Sequence, residues 1–202
     1  MLYGIALAVL AAVAGPSDTT FVLGSKSIDL TGDGAAELMV LLAHGPSIDS
    51  LGVTFQILSS NRIVYATGMG PLMRRRSEPE IPGTRTEARQ AELLADFGAE
   101  FFADGKFSPA SLYVEELGRM APGSVAEIPG VIARHREAYR ADPLGGLDVG
   151  PVSTDTTGAG ARWSDMRSRN GIVFRFSPGG DRTTAILWDV QDRRFYQLLL
   201  CC

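Results

Sequence analysis

Cysteine is almost absent. The two cysteines, Cys201 and Cys202, are neighbours at the end of a 202-residue chain. Adjacent cysteines cannot staple distant segments, so a scaffold built on disulfides is excluded. They could link two chains, but the simpler reading is a pair of end-of-strand residues. Histidine is also scarce. His44 and His135 are the whole supply, and neither has cysteine or histidine company at zinc-finger spacing. Positive charge is in deficit: 19 Lys and Arg stand against 23 Asp and Glu, a net charge of −4. Nucleic acid, which wants a basic face or stripe, is therefore not an expected partner. No apolar run reaches the roughly 20 residues that a membrane-spanning helix needs. P-loop and dinucleotide glycine motifs are missing, and so is a Gly-x-Ser-x-Gly elbow.

What remains is the composition of a globular protein, 45% apolar and 21% charged. The first segment has a character of its own. Leu2 to Ala14 is apolar or small and carries no charge. That fits the apolar region of a secretory signal peptide, with Ala12-Val13-Ala14 as the small-x-small cleavage pattern and a mature start near Gly15. No Lys or Arg precedes the run. The competing readings are a buried N-terminal strand or helix, and an uncleaved leader that tethers the chain to a membrane. The expectation is an exported protein, secreted or periplasmic, with residues 1–14 as signal peptide and no membrane contact after cleavage.

Residues 15–202 read as a single α+β domain. Over 19–66 short apolar runs and period-two alternation predict a meander of about four strands. Val53, Phe55 and Ile57, following Leu51, point one way, and Ser59-Ser60-Asn61 turns the chain into Arg62-Ile63-Val64-Tyr65. Glycines and prolines break the pattern over 67–83, where Arg74-Arg75-Arg76 is balanced by Glu78 and Glu80 and reads as a solvated loop. A helical segment is expected over 84–140. Thr84-x-x-Glu87 has capping-box form, and Leu94, Gly98 and Phe101 recur at helical spacing. Ser108-Pro109 suggests a second helix start and Pro122-Gly123 a break before a third helix that holds His135. Residues 143–161 read as a flexible connector, and 171–200 as a second meander with a turn at Ser177 to Asp181. The expected architecture is one antiparallel sheet drawn from both meanders, with about three helices packed on one face.

One stretch carries chemistry. Asp29-Leu30-Thr31-Gly32-Asp33-Gly34-Ala35-Ala36-Glu37 places oxygen side chains at positions one, three, five and nine of a glycine-containing loop. Ca²⁺ takes six to eight oxygen ligands, and such spacing curls several around one point. The run resembles the calcium-loop signature of FG-GAP (VCBS-like) repeats, found in integrin-type propellers and many exported bacterial proteins. The resemblance spans about a dozen residues. It implies Ca²⁺ as cofactor, with Asp29, Thr31, Asp33 and Glu37 as ligands and a carbonyl near Ala35. Thr31 is neutral where the family has Asp or Asn, and Glu37 is longer than the usual Asp. The motif occurs once, which argues against a propeller, since propellers need four or more blades. The same residues also make a good hairpin connection, with side chains capping local N–H groups.

Other chemistry is thin. His44, Ser47 and Asp49 have the residue types of a nucleophilic triad, so a secreted hydrolase using His44 with Ser47 or Asp49 is one alternative. The leading expectation is an exported binding or interaction module for a protein or small ligand, stabilised by calcium.

Overall fold

The computed structural model describes residues 19–45, 52–69, 87–141, 157–179 and 182–201. The leader at 1–14, Ser47, Asp49, Arg74 to Arg76, Thr84, most of the connector and Cys202 lie outside the described residues. The fold is α+β, with two four-stranded antiparallel sheets and four helices among the described residues. The chain divides into two compact units. The first comprises Met1–Ser27, Leu38–Ala103 and Pro178–Gly180; the second comprises Ile28–Glu37, Asp104–Ser177 and Asp181–Cys202. The meanders therefore form two sheets where one was expected.

The first unit holds β1 (Thr19–Ile28), β2 (Glu37–Gly45), β3 (Gly52–Ser59) and β4 (Arg62–Met69), paired in that order. Period-two patterning puts Val53, Phe55 and Ile57 inside. The β3–β4 turn uses Ser60 and Asn61, both with positive φ, as a two-residue hairpin loop requires. Helix α1 (Glu87–Phe101) supplies the matching apolar stripe, Leu94, Phe97 and Phe101, with Phe102 following it. The Phe55 ring meets Phe101 edge-on at 5.2 Å and Phe102 at 6.2 Å. Glycines let α1 lie directly on β1. A Cβ at Gly24 would stand 2.8 Å from the Gly98 carbonyl oxygen, and one at Gly98 would overlap the Leu23 carbonyl.

The second unit holds β5 (Phe107–Pro109), β6 (Ile172–Gly179), β7 (Arg182–Asp189) and β8 (Arg194–Cys201), again paired in order. The helix expected to start at Ser108-Pro109 starts one residue later: Ser108 and Pro109 pair with Val173 and Ile172 at the sheet edge, and Pro109 is the N-cap of the helix that follows. Helix α2 (Ala110–Met120) follows at once. With no side-chain cap from Pro109, its first turn is held from far along the chain: Asn170 Oδ1 accepts the Ser111 N–H at 2.9 Å, and the Gly171 carbonyl accepts that of Ala110. Helix α3 (Pro122–Ala141) runs through Pro129. Helix α4 (Ala159–Ser168) replaces the end of the expected connector. Its Ala159, Trp163 and Met166 join Tyr113, Leu117, Ile128, Ile132, Val173, Leu187 and Tyr196 in one apolar core. Each meander thus closes against its own helices, which removes the need for a shared sheet. No helix among the described residues is long and apolar enough to cross a membrane.

Candidate functional site

The Ile28–Glu37 loop is built around its carboxylates. Asp29 accepts the N–H of Gly32 at 2.6 Å through Oδ1 and that of Gly34 at 2.9 Å through Oδ2. Both glycines have positive φ, which aims their amides inward without a steric penalty. Asp33 Oδ1 accepts the Ala35 N–H at 2.8 Å. Glu37 is fully buried, and its Oε2 accepts the N–H groups of Leu30 at 2.8 Å and Thr31 at 3.1 Å. The Thr31 hydroxyl donates to Glu37 Oε1 at 3.0 Å.

The four expected ligands therefore fall into two groups. Glu37 and Thr31 clamp the base of the loop. Asp29 and Asp33 shape its exposed nose. Among the described residues, no three His, Cys, Asp or Glu side chains gather as a metal-binding group. Both oxygens of Asp29 and both of Glu37 accept bonds from the chain, and Asp33 accepts one, through Oδ1. Glu37, buried at the base, supports the more exposed residues of the loop.

His44 belongs to the other unit. Its Nε2 lies 3.0 Å from the Thr54 hydroxyl, and its ring lies over Gly52 on the neighbouring strand, where a Cβ would collide with it. Its imagined partners Ser47 and Asp49 are outside the described residues. In the same unit an open groove of about 400 Å³ runs beside β1 and α1, lined by Leu23, Lys26, Ala99 and Phe102 among others. The Lys26 amino group donates to the Phe102 carbonyl at 3.2 Å.

A second polar cluster was not legible in the sequence. It surrounds the β7–β8 turn. Asp189 is fully buried, and its Oδ2 lies 3.4 Å from Arg162 Nη1, a charge contact without a hydrogen bond among the described residues. Burial holds the Asp189 carboxyl above its ordinary range, against the opposing pull of the Gln191 N–H and Arg162. Arg162 also reaches Asp192 Oδ1 at 3.0 Å and the Gln191 side-chain oxygen. Asp192 Oδ2 takes the Tyr196 hydroxyl at 2.6 Å and faces Arg136 Nε at 3.3 Å. Burial first, and the bond to Asp192 second, push the Tyr196 phenol well above its ordinary value. Gln191 Nε2 donates to Asp165, whose carboxyl the neighbouring Arg169 holds below its usual range. The partners come from α3, α4 and the turn, which are remote in sequence. A faint signal existed in Asp189-Val190-Gln191-Asp192, two acids flanking a turn, but their cations, Arg162 and Arg136, lie far upstream.

These contacts hold the turn while Val190, Gln191 and Arg193 stay exposed. The arrangement fixes backbone shape and charge position. Compared with known proteins, the chain matches no family model, no curated protein and no solved structure.

Proposed function

We propose that the chain is an exported binding module that meets a protein or small ligand through preformed loops. One observation carries the reading. Two loops of the same compact unit, Ile28–Glu37 and the β7–β8 turn, are each locked by side-chain bonds and each keep an exposed tip. Loops held in one shape lose little entropy on binding, so more of the contact energy appears as affinity. Export rests on the Leu2–Ala14 leader. N-terminal sequencing of the chain recovered outside the cytoplasm is expected to start near Gly15; an intact Met1 would overturn that element.

Calcium at the loop nose is part of the proposal, supported by the spacing of Asp29, Thr31 and Asp33 and by the exposure of Gly32 to Ala36. Bound there, Ca²⁺ would supply cross-linking charge between Asp29 and Asp33. With two carboxylates the affinity is expected to be weak, because affinity rises with ligand charge. Thermal unfolding in EDTA and in millimolar Ca²⁺ tests it. Ligand at 100 times Kd adds about 2.7 kcal/mol. A rise in midpoint that Asp33→Ala abolishes supports the site. An unchanged midpoint leaves a self-capped turn and removes calcium from the proposal.

A further inference from the structure

Helix α3 packs along β8, the outer strand of its sheet. His135 lies on the packed face of α3 and is 1% exposed. Its Nδ1 accepts the Gln197 N–H at 3.2 Å. The β7–β8 register slips at this point: Ala185 pairs with Leu199 and Ile186 with Gln197, so Leu198 has no partner. The ladder is irregular here, and on this edge strand the histidine takes up the Gln197 N–H. The ring lies nearly parallel to that of Tyr196, at 6.3 Å and 12°. Because Nδ1 accepts, the neutral ring carries its proton on Nε2, which is buried with no hydrogen-bond partner among the described residues.

This geometry accommodates only the neutral ring. A proton on Nδ1 would set donor against donor at Gln197 and place a charge in a buried seam. The charged surroundings give it no relief. Arg134 adjoins it on α3 and disfavours a second cation. Arg136 on α3 and Arg162 on α4 are engaged with Asp192, which also takes the Tyr196 hydroxyl. Helix α2 contributes Tyr113 to the same core. We propose that His135 is an acid-sensitive latch between α3 and β8, and that protonating its ring releases the helix and uncovers the outer strand. Burial first, and Arg134 second, lower its pKa from 6.5 to about 4. Opened, the ring returns toward 6.5. The latch is therefore fully closed above that pH and is weakened as pH falls toward 4. Opening should rise about tenfold per pH unit across this window, about 300-fold in all.

The test is an NMR titration of the full chain from pH 7.5 to 3.5, read at the histidine ring protons and at amide exchange corrected for its intrinsic pH dependence. The chain has two histidines, so His44→Gln assigns the signals. The expected result is a His135 ring that stays neutral to about pH 4. The Gln197 and α3 amides should lose protection over the window while β3 amides keep theirs. In H135Q, which retains an acceptor but does not titrate, that loss should vanish. Three results would overturn the latch: a ring titrating near 6.5 with Gln197 still protected, a loss that persists in H135Q, or simultaneous loss in β3. If H135Q does not fold, the wild-type ring and amide profiles decide by the first and third criteria.

Discussion

Asp189 is fully buried; its Oδ1 accepts the Gln191 N–H at 3.0 Å, while Oδ2 faces only the Arg162 guanidinium. Removing Arg162 would leave that buried carboxylate without its cation and would take one of two guanidinium partners from Asp192. Arg162→Ala is therefore expected to cost about 3–5 kcal/mol in urea denaturation. Arg169→Ala is the contrast. Its partner Asp165 is open to solvent, which screens the pair, and a much smaller loss than that of Arg162→Ala is expected. Glycine tells a similar story of surroundings. Gly98→Ala would drive a methyl group into the Leu23 carbonyl, which is backbone and cannot swing away. A loss of about 1–3 kcal/mol is expected from the overpacking. Gly118→Ala in α2 would meet only the Val125 methyl group at ordinary contact distance. It should stabilise the protein by up to about 1 kcal/mol through helix propensity. None of these four outcomes follows from residue type alone.

At the scale of elements, legibility tracked how local the determinants were. β3 was readable because its alternation is written into eight consecutive residues. The stripe of α1 was readable for the same reason. β5 was not, because three residues have no period and their pairing partner lies some 65 positions away. α4 was missed because Gly158 and Gly160 flank its start and only Ala159, Trp163 and Met166 are buried among polar neighbours. Tertiary burial, not propensity, makes that segment helical. The start of α2 is a related case, since its cap comes from Asn170 across the fold. Asn170→Ala should cost about 1 kcal/mol, measured as a drop in the urea midpoint. Pro129, inside α3, lacks the N–H its position would donate. Pro129→Ala is expected to stabilise the protein by about 1–3 kcal/mol, and an unchanged midpoint would show that packing already absorbs the defect.

At the scale of the molecule, the units are not contiguous in sequence. The second unit takes Ile28–Glu37 from within the N-terminal meander, and Leu30 of that loop is 1% exposed. Residues 104–202 expressed alone would lack this piece. Burying one leucine is worth about 1.5–3 kcal/mol. Each kcal/mol shifts the midpoint of a domain this size by about 4–8 °C. Calorimetry of the fragment should therefore show a midpoint lowered by several degrees relative to the full chain. An unchanged midpoint would mean that the loop contributes nothing to that core.

The sequence by itself determined the α+β class, most strand and helix positions and the make-up of the Asp29–Glu37 loop. All of these rest on patterns within about ten residues, where periodicity and turn chemistry act directly. Tertiary structure alone decided that the meanders close as two sheets, that Glu37 is buried at the base of its loop while Asp33 stays exposed, and that Arg136, Arg162, Asp189, Asp192 and Tyr196 converge. It also set His135 against the Gln197 N–H of an edge strand. The reason is that each of these depends on burial and on partners far along the chain. A carboxylate or an imidazole acquires its role from the groups that folding brings within about 3 Å of it, the range of a hydrogen bond.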